Sequence, residues 1–230
     1  MKSTDAMLGR EARLRSLLAA LHLASPALPV GGFAYSQGLE RAIEERLVTD
    51  ESTALRWIGD LLLLVLARFE APLWLRAFDA CAAADDAALA RFNDELLAAR
   101  ETAELRAESQ QMGASLARLL PALGAEPPVL DPIAYPAAIA AACARLGVDR
   151  EAGLAAYLWS WAENQVLVAV KTVPLGQQAG QRLLIALHAM LLQAVAIAVD
   201  LPDVQIGSAP VNLALTSARH ETQYSRLYRS

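Results

Sequence analysis

The run LLIALHAMLLQAVAIAV, Leu183–Val199, limits the possible folds more than any other stretch. His188 and Gln193 are its only polar breaks. Its length sits at the short end of the roughly 17–25 apolar residues that a membrane-crossing helix needs. No aromatic belt flanks it, and Arg182 is a single neighbouring cation. A helix apolar on every side also suits the centre of a soluble bundle, and the run is read that way. Such a helix needs others to wrap it. The chain has 230 residues, is 55% hydrophobic and has a mean hydropathy of +0.30, which supports a sizeable core and excludes global disorder. Ala and Leu dominate and β-branched residues are few, which favours helices over strands.

Periodicity and breakers predict helices over Glu11–Leu23, Ser36–Leu47 and Ser52–Phe69, the last with Ser52 as N-cap. Leu55, Ile58, Leu62, Val65 and Phe69 mark the core face of that third helix. A further helix opens at Pro72 and reaches Ala84. The next runs to about Arg100, capped by Asp85 or Asp86. Thr102–Leu119, Tyr135–Leu146, Asp149–Thr172, Gly176–Val199 and a short C-terminal helix complete the set. Pro121–Pro132 holds four of the 11 prolines and is the best linker candidate, yet apolar helices lie on both sides of it. The expectation is a single all-α domain over 1–230, a bundle of about eight to ten helices. Its first ten or so residues are expected to be flexible, and residues from about 217 to 230 form a tail.

The net charge is −5, all of it within residues 1–150. Neither part is basic enough to bind a phosphate backbone nonspecifically. Two cysteines far apart, Cys81 and Cys143, read as buried reduced thiols. The N-terminal stretch lacks an apolar run and a small-residue cleavage site, so no secretory signal is expected.

Catalytic chemistry is hard to find. His22, His188 and His220 have no partner at a recognised metal-ligand spacing, and C-x-x-C and H-E-x-x-H are missing. His188 is expected to be a hydrogen-bonded core residue. His220 stands in a polar context that looks exposed, and a ligand shared across two chains is possible there. PVGGFAYSQGLE, Pro29–Glu40, is Gly-rich and leads into a helix, but it lacks the G-K-[ST] ending and a preceding strand. It reads as a turn in which Gly31 and Gly32 allow positive φ or close approach. Ser36 is not in a G-x-S-x-G elbow, and no catalytic role is assigned.

Two polar sets interrupt the apolar pattern. Ser160, Asn164 and Lys171 form one stripe, flanked by Trp159 and Trp161. It is either a wet face or a protein-interaction face. Glu104, Arg106, Glu108 and Gln111 make a second polar helix, in which Glu104 and Glu108 repel each other at i, i+4. Intrahelical support does not account for it. The tail SARHETQYSRLYRS sets Arg219, Arg226 and Arg229 against Glu221. It is a frayed end, a nucleic-acid clamp or a segment kept for a protein partner. An excess of +2 is small for a clamp.

LASPALPVGGFAYSQGLE, AESQQMG, YLWSWAENQVLVAVKTVPLGQQAGQ and SARHETQYSRLYRS, in that order, resemble the UreF family of urease accessory proteins. The resemblance runs from Leu23 to Ser230. Gln37 stands where many members have His, and Tyr228 where Phe is common. The first removes a potential metal ligand, and the second keeps an aromatic anchor. The resemblance implies an all-α, cytoplasmic, homodimeric, non-enzymatic chaperone. It would have no intrinsic cofactor, with nickel handled by the complex. Its implied partners are a UreD/UreH-type accessory protein, the GTPase UreG and apo-urease, with no nucleic acid and no membrane. Arg219, His220, Tyr224, Arg226, Leu227, Tyr228 and Arg229 are then candidate contacts for the UreD/UreH-type protein. Gly31, Gly32, Tyr35, Ser160, Asn164 and Lys171 are candidates for the GTPase-facing surface. Direct carriage or conduction of nickel by the chain is the alternative.

Overall fold

The computed structural model describes residues 2–208 and 211–230, with side-chain surroundings from Gly9 onward, and contains helices and no strand among them. The first helix, α1 (Lys2–Leu23), begins nine residues before the expected start at Glu11. The second, α2 (Leu39–Glu44), is shorter than the pattern suggested. Gln37 (φ 53°) and Gly38 (φ 81°) hold the chain out of helical geometry before Leu39, and Arg46 (φ 60°) ends it.

Asp50, not Ser52, caps α3 (Glu51–Asp60). Its carboxylate accepts from the Thr53 backbone N–H at 2.9 Å, and the Thr53 hydroxyl accepts from the Asp50 N–H at 3.0 Å. Asp is the better cap because its charge also meets the helix dipole. The helix expected to continue to Phe69 instead breaks. A π turn over Leu61–Val65 and a 3-10 turn over Leu66–Arg68 precede α4 (Glu70–Ala82). The wide turn rotates the buried face. Leu61, Leu66 and Ala67 go inward beside Ile58 and Leu62, while Leu55, Val65 and Phe69 stay half-buried. Pro72 is the third residue of α4 rather than its first, a first-turn position that lacks no intrahelical bond.

The remaining helices fall close to their expected ranges. They are α5 (Asp86–Ala98, capped by Asp85), α6 (Ala103–Leu119, capped by Thr102), α7 (Tyr135–Arg145), α8 (Arg150–Thr172, capped by Asp149), α9 (Gln177–Asp200) and α10 (Val211–His220).

The central helix is α7, not α9. Pro136 through Cys143 are all buried, because their alanines let α4, α6 and α8 approach closely. Trp74 on α4 is fully buried and stacks on Phe78 and Tyr157 at centroid distances of 5.7 and 6.4 Å. The α9 helix buries Leu183, Leu187, Leu191, Ala194 and Ala198 and leaves Ile185 66% and Leu192 74% exposed. It is long and apolar enough to cross a membrane by length and composition, with a mean hydropathy of 2.1 over its most apolar 18 residues. His188 lies on its outward face against the Trp159 ring, 5.5 Å between centroids, so the expected core histidine is exposed. Leu14, Leu17, Leu18 and Leu21 form a second uncovered apolar stripe on α1. Both cysteines are free. Cys143 is buried and its thiol is pushed up to about 12, whereas Cys81 is only half-buried.

Candidate functional site

The Gly-rich loop, the polar face of α6, Asn164 of the α8 stripe and the tail converge on one buried hydrogen-bonded frame, whereas Lys171 stands apart from it in the last turn of α8. The loop turns at Gly31, whose φ of 86° favours glycine. This brings Tyr35 and Ser36 under α8. Asn164 Nδ2 donates to the Tyr35 carbonyl at 3.0 Å, and Gln165 Nε2 donates to the Ser36 carbonyl at 3.2 Å. The Tyr35 hydroxyl donates to Gln111 Oε1 at 2.8 Å on α6.

Gln37 is the hub. Its Oε1 accepts from the Trp161 indole N–H at 2.6 Å, and its Nε2 donates to Glu108 Oε1 at 2.6 Å. A left-handed φ at a non-glycine residue costs about 1–2 kcal/mol, and these two bonds offset it. Beneath the hub, the Tyr157 hydroxyl and the Arg100 guanidinium both donate to the Glu70 carboxylate.

The tail closes the frame. Leu227 N–H and Tyr228 N–H donate to the buried Glu40 carboxylate at 2.7 and 3.1 Å. Arg229 N–H donates to the Ala34 carbonyl at 2.8 Å, and Ser36 N–H donates to the Ser230 carbonyl at 2.9 Å. The Ser230 hydroxyl donates to Glu108 Oε2 at 2.7 Å. Glu221 accepts from the Ala103 and Glu104 N–H groups at 3.0 and 3.4 Å, so the tail supplies part of the N-terminal cap of α6.

This arrangement accounts for the repelling pair Glu104 and Glu108. Each has its own partners from another segment. Glu104 takes His220 and Arg226, and Glu108 takes Gln37 and Ser230.

Burial pushes the Glu108 carboxyl from 4.5 up to about 6, although Ser230 and Gln37 donate to it. The native state therefore binds this proton more tightly than the unfolded chain does. The resulting stability is fully present below about 4.5 and is lost as pH rises through about 6. Glu108→Gln should remove that slope. Relative to the parent, the variant is expected to gain about 2 kcal/mol between acid and neutral pH in urea unfolding. Parallel stability curves for the two proteins would refute the assignment.

The sequence candidates divide by exposure. Arg219, Tyr224, Arg226, Leu227 and Arg229 are exposed, whereas Tyr228 is buried. His220 is fully buried, which overturns the expectation of an exposed imidazole. Its Nδ1 faces Glu104 at 2.7 Å and its Nε2 faces Glu40 at 3.4 Å. The two ring nitrogens point in opposite directions, so these carboxylates cannot converge with the ring on one ion. Among the described residues, no group of three or more His, Cys, Asp or Glu is placed to hold a metal. Tyr35 is buried, Gly31 is exposed, and Gly32, Ser160 and Asn164 are half-buried. Lys171 is exposed in the last turn of α8. Sequence reasoning missed Glu40, Glu70, Arg100, Tyr157 and Gln165. Glu40 carried a signal, as the one acid between Leu23 and Ile43.

Fold and site together define an all-α protein whose C-terminal segment is clamped onto a polar frame. The UreF family model matches residues 48–188. The chain is 52% identical over 226 residues to the urease accessory protein UreF of Azoarcus sp. (strain BH72), covering 94% of this chain and 97% of that one. It is 50% identical over 228 residues to the UreF of Cupriavidus metallidurans, covering 94% and 99%. It is 53% identical over 228 residues to the bifunctional urease accessory protein UreEF of Bordetella bronchiseptica, spanning 93% of this chain and 52% of that longer protein. The chain belongs to the UreF family of urease accessory proteins.

Proposed function

We propose that the chain is a non-enzymatic, cytoplasmic scaffold for assembly of the nickel centre of urease. In this reading it joins a UreD/UreH-type accessory protein and regulates the GTPase UreG while nickel is delivered to apo-urease. The observation that carries the reading is the tail. It is ordered against its own chain, yet it presents Arg219, Tyr224, Arg226, Leu227 and Arg229 outward. Tyr and Arg on a pre-ordered base suit protein recognition, because less conformational entropy is lost on binding. The bifunctional UreEF relative joins two accessory functions in one polypeptide, which fits work within an assembly.

The uncovered apolar faces of α1 and α9 support a homodimer. Ile185, Leu192 and the α1 leucines would leave water there. A two-fold interface duplicates every partner surface.

The test uses the full chain with its UreD/UreH-type partner, titrated with the GTPase loaded with GDP or with a GTP analogue. Regulation requires unequal affinity for the two states. The expected difference is about tenfold, and light scattering of the complex should show two copies of this chain. Equal affinities would remove regulation from the reading, and a single copy would remove the dimer.

A further inference from the structure

We propose that the cavity between the Gly-rich loop and α8 is a socket for one basic side chain, lysine or arginine, presented by the GTPase. The proposal rests on the reading that this face meets the GTPase, and adds the chemistry of the contact. The cavity measures about 80 Å³, which suits a single long side chain and is too small for a nucleotide. Leu28, Phe33 and Met112 give it apolar walls, and Phe33 is 40% exposed. An extended aliphatic stem fits such walls, and an aromatic face also attracts a cation.

The charge at the lip decides what ends the stem. Glu108 is held by Gln37 and Ser230, and Arg100 is paired with Glu70 through one terminal nitrogen while its buried Nε has no partner among the described residues. Glu163 differs: it is half-buried, lines the same cavity, and burial alone raises its carboxyl, with no donor or cation acting on it. A half-buried carboxylate without a partner is unfavourable, and a single incoming positive charge relieves it. A neutral apolar occupant would leave it desolvated. A divalent ion needs several converging ligands, and no such group is present among the described residues.

Two measurements on the full chain test the socket. The first is a titration with n-butylguanidinium, read on the Trp161 indole N–H by NMR, since Trp161 lines the cavity. A saturable single-site shift is expected, about tenfold weaker in Glu163→Gln and largely retained in Glu163→Asp. Equal shifts with n-butanol, or no loss in Glu163→Gln, would overturn the proposal. The second compares GTPase binding by the parent, Glu163→Gln and Lys171→Ala. About tenfold weakening in Glu163→Gln is expected, in the range for loss of a charged contact. Parental affinity in Glu163→Gln with weakening in Lys171→Ala would sink the socket and leave the GTPase-facing surface standing. Parental affinity in both variants would sink the two together.

Discussion

Removal of residues 221–230 is expected to abolish binding of the UreD/UreH-type partner and to lower the melting temperature by about 10 °C, with helix content nearly unchanged. The deletion strips Glu40 of two backbone donors, Glu104 of Arg226 and Glu108 of Ser230. It also takes Glu221 from the first turn of α6. Water would enter and repair part of this loss, so about 3 kcal/mol is a reasonable total. In a chain of this size that corresponds to the stated temperature shift. None of the lost hydrogen bonds is made by α4, α7 or α8, so that core should persist although it loses the packing of Tyr228. Circular dichroism and a pull-down separate the two effects. Partner capture by the truncated chain at parental levels would show that the tail only stabilises.

The second large effect is expected at Gly113, midway along α6. A Cβ there would lie 2.2 Å from the Ile133 carbonyl oxygen and 3.0 Å from the Ala134 carbonyl carbon. This is backbone, and it is pinned. Asn93 donates to the Pro132 carbonyl at 3.1 Å and accepts from the Ala134 N–H at 2.7 Å. The Ser109 hydroxyl accepts from the Tyr135 N–H at 3.2 Å. The segment leading into α7 therefore cannot retreat. Gly113→Ala should force α6 and α7 apart and cost about 3–5 kcal/mol, lowering the melting temperature by about 10 °C or more. Gly9→Ala, in open space on α1, is the control and should be neutral or slightly stabilising. Unfolding of the two variants at similar temperatures would mean that the entry to α7 is softer than these bonds indicate.

The helices were legible because caps and breakers are local. Asp85, Thr102 and Asp149 cap helices close to where the pattern placed them. The break at Leu61–Phe69 was not legible. LLLLV satisfies any helical register, and only tertiary packing selects the π turn. The alanines of α7 also gave no hint of centrality, because Ala carries a weak hydrophobic signal while permitting the closest approach. Hydropathy instead pointed to α9, whose outward face adds Ile185 and Leu192 to the apolar run beside His188 and Gln193. The four motifs of the site were visible singly. Their convergence was not, since an acid such as Glu40 or Glu108 looks solvated until the donors from the tail are in place.

The separations within the frame bear on how the chain folds. Ser36 and Ser230 are 194 positions apart, and Glu40 and Leu227 are 187 apart. Contacts this distant close last, because the loop entropy must be overcome before they stabilise anything. A chain still on the ribosome can assemble α4, α7 and α8 before His220 and Arg226 reach Glu104 and before Ser230 reaches Glu108. The Gly-rich loop then takes its final shape only after residues 227–230 have been made and have reached Ala34, Ser36 and Glu40.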